Sequence, residues 1–205
     1  MMGEFRLSDY SSDFLTLSLL LLIGSAFTVP WVEVSVSSLR DFVYYLILPW
    51  VVVIPFHEGL HALVARLFGA RVRFGVTTFG KLVVAPYTAV ETPLTARRFI
   101  AVTLAPLSLS LIALALAWLL RSDFWALVYV FNTAGMAGDF IVILALLGLS
   151  PDTEVVDRGE ALVSSSGTLE PYPLWVSKAL RVVLLAVLLA IIARARVEVV
   201  VENSP

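Results

Sequence analysis

Five blocks of apolar residues, each long enough to cross a bilayer as a helix, set the first limit on what this 205-residue chain can fold into. Hydrocarbon about 30 Å thick needs about 20 helical residues at 1.5 Å each. The blocks run at 14–32, 42–68, 99–120, 124–149 and 174–193. In lipid every backbone N–H and C=O must be bonded within its own segment, so such blocks become helices. Pro30, Ser37-Ser38-Leu39-Arg40-Asp41, Arg121-Ser122-Asp123 and Ser150-Pro151-Asp152 mark the breaks between them. Composition agrees, with 60% hydrophobic and only 15% charged residues, against about a quarter charged in soluble domains. The expected fold class is an all-α integral membrane protein of about five transmembrane helices, in a single domain over residues 1–205.

The first block differs from a secretory signal. Residues 1–13 hold Arg6 against Glu4, Asp9 and Asp13, and 14–32 is long for a signal's apolar core, so a retained helix is expected. Between the second and third blocks, Arg71–Val76 and Lys81–Ala85 have the composition of two short strands around Thr77–Gly80, with Pro86 and Pro93 ending a small β-hairpin at 70–95. Residues 150–173 are acidic, with a Ser-Ser-Ser-Gly turn, and are expected as a polar loop. The tail Val197–Val201 has the composition of a short strand or of a disordered end. Lys and Arg near the helix ends give the orientation. Arg6, Arg66, Arg71, Arg73, Lys81, Arg97, Arg98, Arg158, Lys178 and Arg181 fall on one side, and Arg40, Arg121, Arg194 and Arg196 on the other. The richer side is assigned to the cytoplasm, which puts the N-terminus inside.

A net charge of -2 and the lack of any basic run argue against a nucleic-acid partner. Absence of cysteine excludes disulfides, thiolate metal sites and a cysteine nucleophile. What remains is His57-Glu58-Gly59-Leu60-His61, late in the second block, which contains both histidines of the chain. On a helix, positions i and i+4 share a face. His57 and His61 can therefore hold one Zn²⁺, with Glu58 able to reach a water beside it as catalytic base. Zinc brings the pKa of such a water to near 7. The bland alternative, two histidines merely packed in a bundle, leaves two polar rings in hydrocarbon without a reason.

A catalytic zinc site needs three protein ligands and an open position. With no third histidine, the remaining ligand has to be a carboxylate, and Asp139 inside the fourth block is the candidate. With the second and fourth helices running the same way, Asp139 lies at the depth of His57 and His61, toward the cytoplasmic end. Its bland alternative is a buried carboxylate bonded to Asn132 or a hydroxyl. Glu91, Asp152, Glu154 and Asp157 are rival ligands in loops, and one of the last three can fold back to orient a histidine. Gly135 and Gly138 expose backbone that would let Asp139 approach the metal helix. Asn132, seven residues before Asp139 and on roughly the same face, can hold substrate or make an interhelical bond. Pro55 removes a helical hydrogen bond and can open room for water.

On these residues the chain resembles a family of membrane-embedded zincin-type peptidases filed as a domain of unknown function. The matching features are His57–His61 late in a span, the short hairpin, Leu104-Ala105-Pro106 opening the next span, Asn132 to Asp139, and the acidic loop with Asp157. The resemblance covers roughly 40–195. The family is similar in layout to site-two proteases, in which a later helix supplies the carboxylate that completes the zinc site. Site-two proteases carry prolines and an Asp-Gly in that later motif, whereas here Phe140 follows Asp139. The resemblance implies zinc-dependent cleavage of a membrane-spanning or membrane-proximal peptide, with one Zn²⁺, a membrane protein or peptide as substrate, and the lipid bilayer as surroundings. The hairpin offers an edge on which an extended substrate can pair. A non-catalytic metal-binding membrane protein and a membrane hydrolase of a non-peptide amide or ester are the alternatives. A metal transporter fits least, since no relay of carboxylates crosses the apolar blocks.

Overall fold

A computed structural model describes residues 3–79, 83–159 and 161–194. The tail Val197–Val201 lies outside these residues. The five helices are α1 (Ser11–Ala26), α2 (Leu39–Leu67), α3 (Ala96–Leu120), α4 (Asp123–Leu147) and α5 (Leu174–Arg194), and α2 to α5 are each long and apolar enough to cross a membrane. Ser38, Thr95 and Ser122 cap the starts of α2, α3 and α4 by accepting the N–H of Asp41, Arg98 and Trp125.

The first helix is shorter than its apolar block. It stops at Ala26, sixteen residues long, because the hydroxyls of Ser25 and Thr28 take the carbonyls of Leu22 and Ser25 and Pro30 has no N–H to continue the ladder. The chain then steps through turns to Trp31, whose ring meets Trp118 of α3 edge-on at 4.3 Å, beside Arg121. The segment thus still reaches the end of the bundle where α3 finishes.

The fold is mostly helical, as expected, but it carries more strands than the one hairpin. Six strands, β1 (Gly3–Phe5), β2 (Val72–Phe79), β3 (Val83–Val90), β4 (Leu94–Thr95), β5 (Glu154–Asp157) and β6 (Leu162–Ser164), form two sheets. One is the antiparallel hairpin β2-β3, and the other has the order β1-β6-β5-β4. The stretch 150–173, expected as a polar loop, therefore carries two strands. They are too short to show alternation in sequence, but they bury Val155 and Leu162 with Phe5, Leu94 and Phe99 against Ile141 and Leu146 of α4.

The two strands of the hairpin are longer than expected. The first strand runs on through Thr77–Phe79, and the second passes through Pro86 to Val90. The N–H of Val90 bonds the Asp157 carboxylate and so points away from β2. Pro86 has the same parity, so its missing N–H falls on the outer edge and costs no ladder bond.

α4 lies at the centre, with Val128, Asn132, Met136, Ala137 and Ile141 all fully buried. α5 is peripheral and buries only Ser177. A buried carboxylate ties it on: Asp13 of α1 accepts from Ser177 Oγ at 2.6 Å, from the Tyr172 hydroxyl at 3.2 Å and from Arg181 at 3.3 Å. Asp13→Ala leaves all three donors without that acceptor and is expected to cost about 1–3 kcal/mol. Thermal unfolding in detergent should show a midpoint several degrees lower, with Ser177→Ala giving a smaller drop in the same direction.

Candidate metal centre

α2 runs unbroken through Pro55 and presents His57 and His61 on one side, with ring centroids 5.0 Å apart. Pro55 itself faces away from the site on the exposed side of the helix, so it opens no room there. α4 faces the two rings. It loosens at Gly135–Ala137, where Met136 stands between two helical stretches, and Asp139 lies in the turn that follows. The Asp139 carboxylate places Oδ2 3.2 Å from His57 Nε2 and Oδ1 3.3 Å from His61 Nε2. One ligand atom from each of the three residues lies within 4.8 Å of the others, so together they could hold a metal ion. Their side chains are only 12–15% exposed.

The other ring nitrogens decide which atoms are donors. His61 Nδ1 is 2.8 Å from the carbonyl of Val102 in α3. A carbonyl only accepts, so Nδ1 carries the hydrogen and, in the neutral ring, Nε2 keeps its lone pair. That carbonyl also accepts the N–H of Ala105 at 3.1 Å, and because Pro106, four residues on, has no N–H to bond it, it keeps a lone pair for the ring. His57 Nδ1 is 3.0 Å from Asn132 Oδ1. The Asn132 amide nitrogen donates to the carbonyl of Pro106 at 2.9 Å and to Ser110 Oγ at 2.8 Å, which fixes the amide's orientation. His57 Nδ1 therefore donates as well, and His57 Nε2 is also an acceptor.

Two nitrogen lone pairs and a carboxylate thus converge with no donor between them. Protons on the rings would relieve the repulsion, but imidazolium–carboxylate bonds draw in to about 2.7–2.9 Å. Asp139 Oδ2 makes no hydrogen bond of acceptable geometry despite its 3.2 Å approach to His57. Tetrahedral ligands at about 2.05 Å from zinc stand about 3.3 Å from one another. The two imidazole–carboxylate spacings match that edge, so this donor set fits a zinc ion.

A cavity of about 440 Å³ opens over the three residues, and Glu58, Thr88, Gly135 and Asp157 also line it. Glu58 Oε2 is buried there without a hydrogen-bond partner among the described residues. Its backbone carbonyl accepts from the Thr88 hydroxyl of β3 at 3.1 Å, which pins the hairpin to α2. Gly135 leaves open space where a Cβ would project, whereas Gly138 packs on Leu7 and Phe14 of the N-terminal segment rather than on the metal helix. Asn132 is wholly buried, and its amide is taken up by His57, Pro106 and Ser110, which leaves nothing to offer a substrate.

Among the acidic residues weighed from sequence, Glu91 pairs with Arg73, and Asp152 and Glu154 are exposed. Asp157 lines the cavity without joining the ligand group. Burial pushes its carboxyl up to about 6, against the N–H groups of Gly159 and Val90 that bond it. The roles of Val102, Ser110 and Thr88 were not foreseen. The signal for the first was Pro106, which frees a carbonyl one turn back.

A family model described as "putative zincin peptidase" matches residues 50–153, a stretch holding His57, Glu58, His61, Asn132 and Asp139. The chain belongs to that family. It is also 44% identical, over 95% of its length and 88% of the other's, to an uncharacterized 24.7 kDa protein in the gap 5' region of Pyrococcus woesei. No solved structure matches.

Two outcomes are expected. Purified protein should carry stoichiometric zinc that is lost in His57→Ala and Asp139→Ala, and Asn132→Ala should weaken affinity about 10–100-fold by releasing the His57 ring. Competition with a chromophoric chelator measures both. For Asp157, the fold favours the protonated acid, so its contribution is complete below pH about 4 and is lost as pH rises through about 6. Asp157→Asn should remove that loss and raise the unfolding midpoint at pH 7 relative to pH 5, compared with wild type.

Proposed function

We propose that this protein is a zinc-dependent intramembrane or membrane-proximal endopeptidase. The observation that carries the reading is the convergence of His57 Nε2, His61 Nε2 and the Asp139 carboxylate beside a cavity that also holds the unpaired Glu58 oxygen. In this reading His57, His61 and Asp139 hold the ion, which when bound supplies Lewis acidity toward a water and a peptide carbonyl. Glu58 takes a proton from the attacking water as its oxygen bonds the carbonyl carbon. The same carboxyl returns the proton to the nitrogen as the C–N bond breaks. Asn132 and Val102 hold the rings in the tautomer that turns Nε2 inward. Gly135 leaves room for the substrate backbone or a side chain.

The substrate is a membrane protein or peptide that enters extended. β3 has β2 as its only strand partner among the described residues, and Pro86, Thr88 and Val90 at its outer edge line the cavity. Pairing along that edge would hold a peptide beside Glu58 and keep its backbone groups bonded inside the membrane region. The N-terminus and the active site face the cytoplasm. The four-stranded sheet supports a common side, since it joins the N-terminal strand, β4 and the 154–164 strands, three stretches that the charge count puts together.

Glu58→Gln separates hydrolysis from metal binding, because Glu58 is not among the three ligands. With a quenched apolar peptide and protein in nanodiscs, the variant should keep its zinc and lose about 10²–10⁴-fold in rate. Undiminished cleavage in Glu58→Gln would reject the mechanism.

A further inference from the structure

The cavity over the metal centre does not end at Asp157. A second cavity of about 350 Å³ adjoins it, and Arg6, Tyr87 and Ala161 line both. Among the described residues, Arg6, Arg73 and Arg158 line this vestibule together with Glu4. Each arginine comes from a different element: the end of β1, the strand β2 and the turn after β5. Three guanidiniums drawn from three separate elements give the vestibule an attraction for an anion.

Acidic residues of the chain pair with two of these arginines. Arg6 Nε donates to Glu4 at 2.8 Å and Arg73 Nε donates to Glu91 at 2.8 Å. Both pairs are about half exposed, 54%/52% and 52%/46%, so water screens them and each contributes little. The vestibule's wall is more firmly built. Tyr87 bonds Arg73, and its ring lies so close over Gly75 that a Cβ there would overlap it. Gly159, at φ +87°, lets the turn after Arg158 press on the same ring.

We propose that this vestibule binds a carboxylate of the peptide substrate, from an acidic side chain or a free C-terminus, and so selects substrates with an acidic group near the bond to be cut. This rests on the peptidase reading above. Arginine forks match carboxylates bidentately, which gives the selection direction as well as charge. Strand geometry fixes the position. A peptide along the outer edge of β3 alternates its side chains between two faces. One face belongs to Thr88 and Glu58, and the other to Tyr87 and Arg73. An acidic residue is therefore favoured at alternate positions, on the vestibule face only.

The test uses zinc-loaded protein in phosphatidylcholine nanodiscs. The substrates are apolar peptides with Glu, Gln or Lys scanned through each position, each with a free or an amidated C-terminus. The expected result is kcat/KM roughly tenfold higher for Glu than for Gln at one or two alternate positions, shrinking in high salt. A preference that follows the free C-terminus instead assigns the vestibule to that carboxylate. Arg73→Glu/Arg158→Glu should invert the order in favour of Lys. Equal rates for Glu, Gln and Lys peptides with either terminus overturn the inference and leave the peptidase reading standing. If no peptide is cut at all, the peptidase reading fails, and binding of the same labelled peptides to Glu58→Gln by anisotropy still decides the inference, with equal affinities overturning it. A Glu preference that vanishes when the nanodiscs contain phosphatidylglycerol assigns the arginines to lipid phosphate and also overturns it.

Discussion

Asp139 brings a carboxylate against two imidazole nitrogens whose lone pairs are turned toward it. Inside a bundle of apolar helices such an arrangement repels itself unless a cation joins it. What keeps it from relaxing is the hold on the far side of each ring. The Val102 carbonyl fixes His61, and Asn132 fixes His57. Asn132 is in turn locked by the Pro106 carbonyl and Ser110. Three helices thus share one polar network in which each described partner is used on the side away from the site. Breaking any link would let a ring turn its N–H inward and satisfy Asp139 by itself.

Two irregularities of the helices serve this network. Pro106 interrupts α3 and releases the Val102 carbonyl one turn back. The loosened turn at Gly135–Ala137 interrupts α4 just ahead of Asp139 and opens space above the ligands. The small sheet closes over the same end of the bundle, with Phe5, Leu7 and Phe14 from the N-terminal segment packed near Gly138 and the cavity. In hydrocarbon, non-helical backbone is tolerated only where protein or a cavity surrounds it. Here those breaks surround the proposed reaction site.

Much of this was legible from residues alone. The paired histidines at i and i+4 specify a shared face without any tertiary information, and the carboxylate inside an apolar block has so high a cost that a partner could be expected for it. Depth along two apolar blocks that run the same way was enough to match Asp139 to His57 and His61. The hairpin declared itself by its β-branched residues. The short strands at 3–5, 94–95 and 154–164 did not, because two to four residues cannot display a period and their pairing is set by contacts far apart in the chain. Pro86 misled for a related reason: whether a proline ends a strand depends on which edge its missing N–H faces, and that is decided by the neighbouring strand. Gly138 misled too, since small residues mark close packing without naming the partner, which proved to be Leu7 and Phe14.

Zinc K-edge X-ray absorption on the purified, zinc-loaded protein tests the shared cation most directly. Four nitrogen or oxygen neighbours at about 2.0–2.1 Å, with the multiple scattering of two imidazoles, are expected. A spectrum with no imidazole scattering, or with the six-oxygen shell of hydrated zinc, would contradict the account.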